Sequence, residues 1–248
     1  MENELKPFWS RLFDFNWKFG LFLILIICIP RFLLVLDANA TSNYAFIGLI
    51  MLISAIAPFI FLSKYGRREI GITETKNYPW LLLAFISGLI FSILLYYFGE
   101  LLYENKIENW YVYIGKSYNI PAEIKADDKR NMFIIMAITG MIFSPIGEEL
   151  FFRGIVHSSF AKSLGNTKAS IIDSSAFALT HISHFGLIFI NYQWKFLPIP
   201  TIIWVASMFF VSLLFYFCRK KTGSISGAII CHSAFNLGMI YCIFYLLD

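Results

Sequence analysis

Charge is scarce in this chain of 248 residues: only 15% are Asp, Glu, Lys or Arg, and 58% are hydrophobic. Soluble domains carry about 25% charged and about 45–50% apolar residues, so an ordinary water-soluble domain is excluded. The surplus of Lys and Arg over Asp and Glu is small, 20 against 16. A net charge of +4 therefore reads as a topology signal and gives no indication of nucleic acid as a partner. Cysteine is equally sparse. The four residues, Cys28, Cys218, Cys231 and Cys242, lie singly in apolar segments with no CxxC pair. That excludes a disulfide framework or a zinc knuckle and leaves buried thiols. No internal repeat or low-complexity tract is visible. No cleavable signal peptide is expected, because the apolar block starting near Phe19, behind Lys6, Arg11 and Lys18, lacks a small-residue exit site.

Apolar runs are what the sequence has in abundance. Its mean hydropathy is +0.67, and a helix needs about 20 apolar residues to cross a ~30 Å hydrocarbon core. Seven segments qualify, at about 19–36, 44–63, 79–99, 131–160, 169–184, 199–218 and 224–247. The expected fold is an all-α polytopic membrane helix bundle, one membrane domain with N-terminal helices and a polar loop over 1–130 and a helical core over 131–248. Glu100–Arg130 reads as an interfacial loop with some helix. A shorter apolar piece, 185–197, reaches only ~20 Å as a helix, which predicts a tilted or re-entrant eighth helix.

Lys and Arg near the helix ends set the orientation. Lys6, Arg11 and Lys18 place the N-terminus on the cytoplasmic side, and Lys64, Arg67, Arg68 and Lys76 return to it. Lys162 and Lys168 mark the next inner turn, and Arg219, Lys220 and Lys221 another. The link Asp37–Asn43 has neither Lys nor Arg and lies outside.

Against that apolar background, SPIGEELFFRGIV over 144–156 places two carboxylates and a guanidinium inside one spanning segment. An ionised side chain at membrane depth costs several kcal/mol unless it faces a cavity or a partner. Glu149 and Arg153 stand at i,i+4 and can pair on one helix face. Glu148, rotated by about 100°, needs another helix to satisfy it. Ser144 and Pro145 mark either a kink or a capped helix restart. A purely structural triad that fixes helix packing would explain Glu149 and Arg153, but not the second carboxylate.

The four histidines are the candidate partners for Glu148. Phe177 and His181 share one helix face, as do His232 and Asn236. Glu148 lies 14 residues before Lys162, His181 13 after Lys168 and His232 11 after Lys221. Those spacings are depths of ~21, ~20 and ~16 Å, so three helices bring a carboxylate and two imidazoles to a similar level. Such a set suits hydrolysis. Glu148 can take a proton from water that His181 orients, while His232 and Asn236 donate to a developing oxyanion. Glu148, His181 and His232 are equally a ligand set for one divalent metal such as zinc, and the residues alone do not separate the two arrangements. His157 is expected at the membrane interface, His184 beside His181, and Arg31 snorkelling toward Asp37.

These residues resemble the three motifs of the CAAX protease and bacteriocin-processing intramembrane proteases. EELFFR (148–153), FALTH (177–181) and HSAFN (232–236) match EExxxR, FxxxH and HxxxN. That family includes type II CAAX prenyl endopeptidases and Abi-type immunity proteins. The resemblance covers roughly 131–245, and the first 130 residues match only as hydrophobic helices. It implies an eight-helix membrane fold and peptide-bond hydrolysis near the cytosolic side of the cell membrane. The substrate would be a membrane-associated protein or peptide. Glu148 and His181 would activate water, and His232 and Asn236 would stabilise the oxyanion. Glu149, Arg153 and Phe177 would support the site. Two readings stand beside the endopeptidase: a non-enzymatic immunity or scaffold protein, and a proton-coupled transporter, the latter disfavoured by the lack of an inverted repeat.

Overall fold

The computed structural model describes residues 2–121 and 123–247. The chain is a helical bundle. In order come α1 (Trp17–Thr41), α2 (Ala45–Phe61), the short α3 (Lys64–Glu69), α4 (Pro79–Tyr103) and the short α5 (Trp110–Lys116). Next, α6 (Ala126–Glu149) runs through a π-helical stretch, Leu150–Val156, into α7 (His157–Leu164). α8 (Asn166–Thr180), α9 (Pro198–Thr222) and α10 (Ile225–Tyr245) complete the helices. Their boundaries follow local chemistry. The Asn16 side chain accepts from the backbone N–H groups of Lys18 and Phe19, capping α1. Proline enters at the first turns of α4 and α9, where its missing N–H costs nothing. Gly223, at φ +69°, ends α9 in the left-handed region open to glycine.

Among the described residues five rods are long and apolar enough to cross a membrane: α1, α4, the composite Ala126–Leu164, α9 and α10. α4 and α10 run side by side in close contact because small residues line their seam. A Cβ on Gly88 would stand 2.0 Å from the Cys231 carbonyl oxygen, and one on Gly238 2.9 Å from the Ser92 Cβ. α2 and α8, at 17 and 15 residues, are shorter, yet they too run between the two ends of the bundle.

The basic links gather at one end, as their charge predicts. Leu5 bridges Leu62, Lys162 pairs with Glu4 at 2.7 Å, and the Lys76 amide donates to the Thr222 carbonyl at 2.9 Å. At the other end, Asn39 donates to the Ser183 carbonyl at 2.7 Å, and the Phe189 amide donates to the Tyr113 hydroxyl at 2.9 Å. The polar segment after α4 also lies at this second end, where α5 buries Trp110, Tyr111 and Tyr113. All four cysteines are free and buried.

Residues 185–197 do not form the expected eighth helix. They fold as an antiparallel hairpin, β1 (Leu187–Ile190) paired with β2 (Gln193–Phe196). Asn191 and Tyr192, both at positive φ (51° and 59°), make the two-residue turn, a geometry that suits the right-handed twist of paired strands. Continuous apolarity concealed this alternative, since a short greasy run has no period that separates strand from helix. α6 also passes through Pro145 without a break, so the helix-restart reading of Ser144 and Pro145 falls.

Candidate active site

Four successive turns of α6 place Met136, Gly140, Ser144 and Glu148 along one wall of a cavity of about 400 Å³. At 1.5 Å per residue that wall is ~18 Å long. α10 supplies the facing wall with His232, Asn236 and Met239, and α8 ends beside it with Phe177 and His181. The sequence-derived group of Glu148, His181, His232 and Asn236 is therefore brought onto a single cavity.

The partner of Glu148 is a residue that sequence reasoning had placed elsewhere. Arg31 does not snorkel to Asp37. It is 3% exposed and its Nη2 lies 3.0 Å from Glu148 Oε1. The Ser144 hydroxyl, one turn before Glu148, donates to the same oxygen. Among the described residues, buried Glu148 Oε2 has no hydrogen-bond partner. The signal for Arg31 was present: it stands 13 residues after Lys18, a depth of ~20 Å that matches Glu148. A lone arginine next to Pro30 lacks the motif spacing that drew attention to the histidines. Ser144 was read as a possible cap, and its hydroxyl is instead part of the site.

Glu149 and Arg153 are both wholly buried. Glu149 Oε1 meets His232 Nδ1 at 2.7 Å, and Oε2 meets Arg153 Nε at 3.1 Å. The latter contact is an ion pair without hydrogen-bond alignment, so all three guanidinium nitrogens of Arg153 lack a hydrogen bond. Aromatic faces take their place: the guanidinium lies 4.3 Å from the Phe177 ring centre, 5.3 Å from Phe215 and 5.8 Å from Phe152. Residues 150–156 are π-helical, an irregularity common at functional sites, and Arg153 sits within it.

The imidazoles are held in defined orientations. His181 Nδ1 lies 2.7 Å from the Phe177 carbonyl oxygen, which can only accept, so Nδ1 carries the proton. In the neutral ring Nε2 is then free to accept. The Phe177 ring packs on His181 at 4.3 Å between centres, and Phe215 stacks on His232 at 4.5 Å. His184 stands 5.3 Å from His181, ring to ring, and also lines the cavity. His157 is buried, pairs with Asp173 at 2.6 Å and does not line the cavity. Asn236 donates from Nδ2 to the Gly140 carbonyl at 2.9 Å, which leaves its second N–H unassigned.

Among the described residues no group of three or more His, Cys, Asp or Glu side chains is placed to hold a metal ion. Glu148 and His232 are instead engaged by Arg31 and Glu149. Glu148, His181 and His232 line one cavity without forming such a group.

The cavity also extends away from the basic links. Beyond the Glu148 level it is lined by Tyr44, Ile114, Ser117, Tyr118 and His184, all from the end opposite the basic links. No residue of those links lines it. From the Glu148 level the cavity therefore extends toward the end of the bundle opposite the N-terminus. Motif depth located the polar groups along each helix, but it carried no information on the end toward which the cavity extends.

Neither a curated protein nor a solved structure matches this chain. Residues 130–238, which carry all three motifs and every polar group that α6, α8 and α10 contribute to the cavity, match the family model described as type II CAAX prenyl endopeptidase Rce1-like.

Proposed function

We propose that this protein is an intramembrane endopeptidase that hydrolyses a peptide bond of a membrane-associated protein or peptide. The observation that carries the reading is the free oxygen of Glu148. Its Oε1 is anchored by Arg31 and Ser144, while Oε2 has no partner in a cavity that His181, His232 and Asn236 also line. In this reaction Oε2 takes a proton from a water whose other hydrogen is accepted by His181 Nε2. The water oxygen attacks the scissile carbonyl carbon, and charge develops on the carbonyl oxygen. The second N–H of Asn236 donates to that oxygen, as does His232 Nε2 when the ring is doubly protonated. Glu149, bonded to Nδ1, balances the imidazolium. Glu148 then passes its proton to the amide nitrogen as the C–N bond breaks. Four methionines, Met51, Met136, Met208 and Met239, line the same space and adapt to an apolar segment of varied shape.

The experiment is a comparison of membrane proteomes from cells producing wild-type protein and Glu148→Gln. The substitution keeps shape and hydrogen bonding but removes the base. New peptide termini are expected with wild type alone. Identical termini with Glu148→Gln would reject the hydrolytic reading in favour of a scaffold.

A further inference from the structure

A second cavity, of about 440 Å³, lies at the end of the bundle that carries the basic links. It shares no lining residue with the first. Arg68 after α2, Lys76 before α4, and Arg219 and Lys220 at the end of α9 converge on it, against the single carboxylate of Glu69. Among the described residues none of the four cations forms an ion pair. Four like charges around one concavity repel one another, and an anion between them removes that cost.

The walls are built rather than incidental. Arg219 donates to the Arg153 carbonyl and reaches the Ser158 hydroxyl at 3.4 Å, so its guanidinium is held in place. His157 also lines the cavity, with Asp173 fixing Nδ1 and the Tyr216 ring 4.5 Å away. Gly71 and Gly223, at φ +93° and +69°, bring bare backbone to the same rim. An anchored guanidinium and ammonium groups together suit a phosphate, whose several oxygens can engage all of them.

We infer that this pocket binds a phosphate group. The mechanism above makes no use of any of its residues. Its place at the basic end of a membrane bundle admits two sources for that group, an anionic phospholipid headgroup or a soluble phosphate.

Thermal unfolding of the full-length protein in neutral detergent tests the inference, with wild type compared to a Lys76→Gln/Lys220→Gln variant. Both side chains are exposed, so the two proteins should unfold at the same temperature without ligand. One arm adds inorganic phosphate against chloride at equal ionic strength. The other dopes the micelles with phosphatidylglycerol against phosphatidylcholine. Wild type should be stabilised, with apparent affinity at least about tenfold weaker in the variant, since two charged hydrogen bonds are lost. A response to inorganic phosphate assigns a soluble ligand, and a response to phosphatidylglycerol alone assigns a headgroup. No stabilisation in either arm, or equal stabilisation of both proteins, would overturn the inference.

Discussion

Arg31 of α1 and Glu148 of α6 are 117 residues apart in sequence, yet their side chains meet at 3.0 Å in the interior of the bundle. Each is about as buried as a core leucine, with side-chain exposures of 4% and 3%. This pair ties the N-terminal helices to the family-matched segment. Arg31→Ala would strand the Glu148 carboxylate with only Ser144, at a cost of roughly 3–5 kcal/mol. The expected result is a lower unfolding temperature in detergent together with lost activity, partly restored in both respects by Arg31→Lys. An unchanged unfolding temperature for Arg31→Ala would mean that water, not Arg31, satisfies Glu148.

Arg153 makes a parallel case with a different environment. Its charge is shared between Glu149 and the faces of Phe177 and Phe215, so its removal leaves Glu149 facing His232 alone. Arg153→Ala should destabilise the protein by about the same 3–5 kcal/mol. Arg153→Lys should recover little, because an ammonium lacks the flat guanidinium surface that packs on the rings. Full recovery by lysine would show that charge alone matters there.

Glu148→Ala, His181→Ala and His232→Ala should each abolish cleavage while the protein still inserts and remains folded at growth temperature. Of the three, His181→Ala should be the mildest for stability, because among the described residues the His181 side chain bonds within its own helix turn, to the Phe177 carbonyl and the Thr180 hydroxyl, and the Trp204 bond to its backbone carbonyl is kept. Near-normal turnover by any purified variant of the three would remove that residue from the mechanism.

For Asn236 the expected loss is smaller and of a particular kind. Losing one oxyanion donor costs ~10²–10³ in turnover with little change in substrate binding. Asn236→Ala should lower kcat by that factor and leave KM nearly unchanged. A raised KM at constant kcat would instead make Asn236 a substrate contact.

Cysteine labelling reads the topology directly. The four native cysteines are buried, so background reaction is low. Cysteines introduced at the exposed Lys64, Lys162 and Lys220 positions should react from one side of the membrane, the cytoplasmic side by the charge rule. One introduced at exposed Lys116, next to the cavity-lining Ser117, should react from the other side. Labelling of the Lys116 and Lys220 positions from the same side would contradict this arrangement of the ends.

The sequence by itself determined the apolar helices, the end at which the basic links gather, and the depths at which Glu148, His181 and His232 lie. These are local or additive properties. Length and composition decide whether a helix can sit in hydrocarbon, and a rise of 1.5 Å per residue converts spacing into depth. It also located the pair Glu149 and Arg153, because i,i+4 neighbours meet whatever the fold does. Only the tertiary structure decided the pairings across helices: Arg31 with Glu148, His232 with Glu149, and Arg153 among Phe152, Phe177 and Phe215. Depth gives a residue's height but not its bearing around the bundle axis, and several polar groups shared one height. The hairpin at 185–197 was likewise a tertiary decision, made where Phe189 meets Tyr113, and so was the end toward which the cavity extends. Both depend on which helix faces lie against one another, and that follows from side-chain shape along whole seams, such as Gly88 against Cys231, rather than from any single residue.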